Sequence, residues 1–91
     1  MVARVKISIY SSLREELGWK EKEVLVEDNA TLMEVLRKEP SLYERLINEK
    51  GQLRSDYMIL VNGIHIQFKD GARTRIRDGD EIAIFPPGGG G

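Results

Sequence analysis

The chain of 91 residues carries 14 basic and 15 acidic side chains, a net charge of −1 and no cysteine. That length suits one small domain with a modest core and excludes several, while the balanced charge offers no general field for nucleic acid or anionic lipid. Without cysteine there is no disulfide framework or thiolate metal site, and with neither a signal core nor a long apolar run, a cytoplasmic protein that does not engage a membrane is expected. Val5, Ile7 and Ile9 alternate with Arg4, Lys6 and Ser8 between Ala3 and Tyr10, the period of a strand with one buried face. Ser12 and Glu15 have capping-box spacing, Leu13 and Leu17 share a helical face, and Gly18 is placed to end a short helix. Lys22 to Val26 reads as a second strand with Val24 and Val26 inward, so the first two strands predict a hairpin with a helical turn inserted.

Thr31 and Glu34 form a second capping-box pattern, opening the main helix from Thr31 to Lys38. Its apolar stripe is Leu32, Val35 and Leu36, and Glu34 is spaced to pair with Lys38. Pro40 is expected to stop this helix, and Ser41 with Glu44 to open a third capped segment bearing Leu42, Tyr43, Leu46 and Ile47, which Gly51 ends. The nearly continuous apolar run Tyr57 to Val61 predicts a central strand leading into Asn62-Gly63, a strong hairpin signal, with Ile64 to Phe68 as partner. Arg73, Arg75 and Arg77 alternate as on one strand face with Lys69 nearby, which reads as a solvated face or, alternatively, as a dock for an acidic partner. Asp78-Gly79-Asp80 is a turn feeding the last strand, Glu81 to Phe85.

Strand, short helix, strand, two helices and then further strands describe an α+β domain. A helical crossover after the second strand allows the first and last strands to lie parallel in the middle of a mixed sheet, which is the β-grasp arrangement. The expected core is Ile7, Ile9, Leu32, Val35, Leu36, Ile59, Val61, Ile82 and Ile84. The expected division is a β-grasp domain over 1–87 and a flexible glycine tail over 88–91.

The last strand runs without a spacer into Pro86-Pro87-Gly88-Gly89-Gly90-Gly91. Two prolines fix φ near about −65° and favour an extended path, and glycines without a Cβ make the arm thin. Extended, Pro86 to Gly91 reaches on the order of 20 Å, enough to thread a terminal carboxylate into a neighbour's active site. Ile82 and Ile84 are expected to face the helices, which puts Ala83 and Phe85 on the open face. A large ring there suggests a docking site at the root of the arm.

Val61-Asn62-Gly63, Asp78 to Pro87 and the terminal Gly90-Gly91 together resemble the ubiquitin-like sulfur carriers of the MoaD/ThiS superfamily, above all the small subunit of molybdopterin synthase, the MoaD type. This chain has Gly88-Gly89 where that family usually has Val-Ser or Val-Ala, which keeps the length and adds freedom. The resemblance implies that an activating enzyme uses Mg-ATP to adenylate the Gly91 carboxylate and that a sulfur donor converts the acyl-adenylate to a thiocarboxylate. The synthase large subunit would then receive that sulfur to build the dithiolene of the molybdenum or tungsten cofactor. On this reading the chain is a non-catalytic subunit that binds no cofactor of its own. Gly91 carries the reacting atom, and Phe85, Pro86, Pro87, Gly88, Gly89 and Gly90 contact partners.

Other constellations have plainer readings. His65 is the single histidine and is expected to be a strand residue near the surface, with no metal site. Asp78 and Asp80 could be paired as acid and base, but an Asp-Gly-Asp turn explains them. No aromatic platform accompanies the arginines, which disfavours nucleic acid, and no glycine-rich loop precedes a helix to hold phosphate. Three alternatives remain for the tail: a protein modifier joined through Gly91 to target lysines, as in archaeal ubiquitin-like modifiers, a thiamine-type sulfur carrier, or an interaction module with an inert tail.

Overall fold

Residues 1–88 are described in the structure, a computed structural model. Alternating apolar residues form strand β1 (Val2–Ile9), followed by helix α1 (Ser12–Leu17) and strand β2 (Glu21–Glu27). Helices α2 (Leu32–Leu36) and α3 (Pro40–Leu46) lead to β3 (Met58–Val61) and β4 (Ile64–His65). Two 3-10 turns, Ile66–Phe68 and Gly71–Arg73, precede β5 (Glu81–Phe85). The sheet order is β2-β1-β5-β3-β4. β1 and β5 are parallel, with Ile7 beside Ile82 and Ile9 beside Ile84, and every other neighbouring pair is antiparallel. This is the expected β-grasp, with first and last strands adjacent inside a mixed sheet.

Every residue expected in the core is buried, joined by Ala3, Val24, Val26 and Ile76 and by Leu13, Leu42 and Leu46 from the helices. Burying each Leu or Ile contributes roughly 1.5 to 3 kcal/mol, so the face-on packing of helices against β1, β5 and β3 supplies most of the driving force. No helix among the described residues is long and apolar enough to cross a membrane.

The Asp-Gly-Asp turn joins three strands. The Asp78 Oδ1 accepts from the Arg4 N–H at 2.8 Å, and the Gly79 N–H donates to the Arg4 carbonyl at 2.8 Å. Asp80 accepts from the Asn62 side-chain amide through Oδ1 and from the Arg77 N–H through Oδ2. Asn62 and Gly63 take φ of 50° and 82°, as a tight hairpin turn between β3 and β4 requires, and the Glu81 N–H donates to the Asn62 Oδ1. Both aspartates are therefore spent on fastening the start of β5 to β1 and β3, as the turn reading anticipates.

Several local expectations are corrected. Ser11, with φ of 52°, precedes α1 in place of a capping Ser12, and no side chain caps that helix. Pro40 begins α3 instead of ending the region: its fixed φ and missing N–H suit a first helical position, so Ser41 lies inside the helix. Helix α2 ends at Leu36, short of Lys38, and Glu34 turns its carboxylate to Thr31 instead of Lys38. The partner strand stops at His65, whose Nδ1 accepts from the Gln67 N–H at 3.0 Å and so opens a 3-10 turn. Residues 73–77 are not a strand of the sheet. Their extended part meets the start of α2 instead, where the Leu32 N–H donates to the Thr74 carbonyl and the Ile76 N–H to the Ala30 carbonyl, both at 2.8 Å.

Candidate functional site

The parallel register of β1 and β5 decides what surrounds the root of the tail. Ile9 and Ile84 are paired on the helix side, so the next residue of each strand, Tyr10 and Phe85, emerges on the open face. Their rings stack with centroids 4.4 Å apart and planes 8° from parallel. The Tyr10 N–H donates to the Ile84 carbonyl at 3.2 Å, which holds the two strand ends together. Arg14, in the first turn of α1, lays its guanidinium over the Tyr10 ring at 4.7 Å and donates from Nε to the Ile9 carbonyl at 2.7 Å. Tyr10 is thus in contact with both a phenyl and a guanidinium: the cation is attracted by the ring's electron-rich face, and the stacked rings shed water.

This stack modifies the sequence-based expectation for Phe85. The ring lies on the open face as the alternation requires, but it is half-buried, because folding itself covers one side of it. Across the sheet, Met58 pairs with Phe85, and Leu60 pairs with Ala83, which in turn lies beside Ser8. Met58 is 42% exposed. Ser8 is buried, since an interior strand is flanked on both sides even on the open face. The result is an apolar area of Tyr10, Phe85, Met58, Leu60 and Ala83 at the tail end of the sheet.

Farther from the tail the same face becomes charged. Lys6 lies opposite Glu23 and Glu81, and its Nζ stands 3.8 Å from Glu21 and 3.5 Å from Glu81. An apolar centre with a charged rim is the usual anatomy of a protein-binding surface. Sequence reasoning found Phe85 but missed Tyr10, Arg14 and Met58. Tyr10 was within reach, since placing β1 parallel to β5 puts the residue after Ile9 next to the residue after Ile84.

Beyond Phe85 the proline pair does not continue straight through Gly88. Pro86 is half-buried, and Pro87 with Gly88 forms an exposed turn in which Gly88 takes φ of 74°. That left-handed backbone conformation favours glycine and strains any other residue, which accounts for a glycine at this position. The remaining proposed site residues, Gly89, Gly90 and Gly91, lie outside the described residues, as does the expected flexibility of that part of the tail.

The other candidates are elsewhere. His65 is half-buried at the end of β4, its ring edge-on to Phe68 at 6.5 Å. Asp78 and Asp80 are held in the turn at the opposite end of β5 from the tail. Among the described residues no group of three or more His, Cys, Asp or Glu is placed to hold a metal ion.

Comparison with known proteins adds a family, a relative and two solved structures. The profile of the ThiS family matches residues 7–91. Small archaeal modifier protein 3 of Haloferax volcanii is 32% identical over 90 residues, covering 96% of this chain and 98% of that one. Among solved structures, SAMP1 from Haloferax volcanii superposes with a TM-score of 0.84 at 27% identity, covering 98% of this chain and all of that one. A putative molybdopterin converting factor, subunit 1, from Pyrococcus furiosus gives a TM-score of 0.68 over 94% of this chain and 99% of that chain, and at 22% identity the likeness is one of fold.

Proposed function

The chain belongs to the ThiS family of ubiquitin-like carriers, and on that premise we propose that it is a sulfur carrier whose Gly91 carboxylate is adenylated and then thiocarboxylated to supply sulfur for molybdopterin synthesis. The observation that carries this reading is the junction at Phe85. A strand locked into the middle of the sheet delivers the chain directly from an apolar face into Pro86-Pro87, so the surface a partner covers and the arm it receives start at the same point. The family match extends through residue 91 and supports placing the reacting group there.

The chemistry then divides between chains. The Gly91 carboxylate oxygen attacks the α-phosphorus of ATP bound with Mg on an activating enzyme, forming a mixed anhydride and releasing pyrophosphate. Hydrosulfide supplied by a sulfur donor attacks that carbonyl, the C–S bond forming as the C–O bond to AMP breaks and the sulfur loses its proton, and the large subunit of the synthase consumes the resulting thiocarboxylate. Adenylation is needed because a carboxylate is a poor electrophile, and glycines fit because the reacting carbonyl has to enter a narrow site that excludes water. This chain contributes the docking face and the reach of its arm.

A second reading has its own support. The similarity to a protein named a small archaeal modifier runs over 96% of the chain, which supports conjugation of Gly91 to a target lysine as an alternative fate of the same acyl-adenylate. Both begin with adenylation, which is therefore the step to test first. ATP–pyrophosphate exchange with the cognate activating enzyme is expected for the wild type and abolished when Gly91 is deleted, since the carboxylate then falls about 3.5 Å short of its place. Equal exchange by both proteins would rule out both readings.

A further inference from the structure

The far end of the sheet carries a second surface. Phe68, Lys69, Arg75 and Arg77 line an open cleft of about 520 Å³ together with Asp70 and Asp80. It lies beside the start of β5, whereas the tail leaves from the end of that strand, on the order of 15 Å away. We propose that this cleft is a docking site, independent of the tail, for an acidic segment of a partner protein that carries an apolar side chain among its carboxylates.

Three observations lead to that occupant. First, the cleft's cations form no salt bridge among the described residues. The ion pairs among the described side chains engage Lys6, Lys22, Arg45 and Arg54, and none of them involves Lys69, Arg75 or Arg77. Second, the arginines are held in place. Thr74 and Ile76, 2% and 0% exposed, anchor the segment that bears them, and the Arg75 Nη1 donates to the Asn29 carbonyl at 3.1 Å. Little backbone freedom remains to be lost when a partner binds. Third, Phe68 is 75% exposed at the rim with its ring braced edge-on by His65. Arginine and an exposed aromatic ring are the residue types most enriched where proteins bind proteins.

The cleft's carboxylates narrow the choice. Asp80 already accepts hydrogen bonds at both oxygens, and Asp70 sits among the cations, so a compact polyphosphate with its charge in one place would meet it, whereas carboxylates spaced along a peptide can reach Lys69, Arg75 and Arg77 to either side. An exposed phenyl also gains nothing from phosphate, whereas an apolar peptide side chain would bury it. A nucleic-acid strand would find one ring and no stacking series. Because the cleft and the tail are at opposite ends of β5, a partner bound here could keep hold of the protein while Gly91 occupies an active site. The inference does not depend on what is done to Gly91.

The test uses the full chain and a short capped synthetic peptide in which glutamates flank one leucine, titrated by NMR and by fluorescence anisotropy. Saturable binding is expected, with amide shifts at Phe68, Lys69, Arg75 and Arg77 and affinity that falls as salt is raised. The double substitution Lys69→Ala/Arg77→Ala should weaken it by about tenfold or more, Phe68→Ala should also weaken it, and deletion of Gly91 should leave it unchanged. All three substituted side chains are exposed, and the amide spectrum reports whether each variant is folded. Absence of saturable binding, equal binding by every variant, or tighter binding of a single-stranded RNA oligonucleotide of the same length would overturn the proposal.

Discussion

A phenyl ring lying flat on a tyrosine at 4.4 Å loses water from one face whether or not a partner is present. Truncating Phe85 therefore removes packing from the free protein as well as contact from a complex, and the two effects can be separated. In a double-mutant cycle of Tyr10→Ala and Phe85→Ala followed by urea unfolding, a coupling of about 0.5 to 1.5 kcal/mol is expected. Strictly additive losses would mean that the stack adds nothing beyond burial. Loss of partner affinity by Phe85→Ala should exceed its loss of stability, because the exposed part of the ring is covered only in the complex. Positions fully inside the core behave differently: Leu36, 0% exposed, should cost about 2 to 5 kcal/mol on truncation to Ala, again read by urea unfolding. Alternation made the burial of Ile82 and Ile84 and the outward side of Phe85 legible in the sequence. The tyrosine beneath Phe85 belongs to no local pattern, because that contact joins residues far apart in the chain, and it follows only once the expected parallel pairing of β1 and β5 is given its register.

Two capping-box patterns of the same form had opposite outcomes, and the reason is the backbone that precedes them. Thr31 enters α2 from an extended conformation, so its hydroxyl can accept from the Glu34 N–H at 3.2 Å while the Glu34 carboxylate reaches the Thr31 N–H. Ser12 is already the first residue of α1, and the cap position falls on Ser11, whose φ of 52° and ψ of −134° are not those of an extended cap, so the box cannot close. A sequence shows the residues of a cap but not the direction from which the chain arrives. The formed cap predicts a pH dependence. Glu34's carboxyl is held below its ordinary value of 4.5, first by the backbone N–H of Thr31 and then by the Thr31 hydroxyl. Because the folded value is the lower one, the stabilisation is complete above 4.5 and is lost as pH falls through the folded value. Urea midpoints of the wild type and Glu34→Ala should therefore differ at neutral pH and converge well below 4.5. A gap that stays constant through that range would show that the carboxylate does not contribute through its charge.

At the scale of the whole molecule, the open face is apolar at the tail end and charged at the other, and the two sets of residues should separate docking from chemistry. Met58 is the substitution to use, because it pairs with Phe85 and is exposed enough that a charge there leaves the core intact. Met58→Glu should keep the fold and a competent Gly91 yet raise the protein concentration needed for half-maximal ATP–pyrophosphate exchange, by about tenfold or more if this face is the contact. Deletion of Gly91 should do the reverse: the variant still competes with wild type for the activating enzyme but supports no exchange of its own. The element order was legible because it rests on local signals, the alternation in β1 and β5 and the Asn62-Gly63 turn. Under the proposed function the fate of the carboxylate is not legible in the sequence, since thiocarboxylate and isopeptide would both arise from one acyl-adenylate and the nucleophile would belong to another molecule. Intact-protein mass spectrometry of material from the native host decides between them. A mass increase equal to exchange of one oxygen for sulfur is expected for a sulfur carrier, and larger species joined through Gly91 for a modifier. Met58→Glu should lower whichever product forms, because either one requires docking for activation first, and an undiminished yield would show that the activating enzyme reads the tail alone.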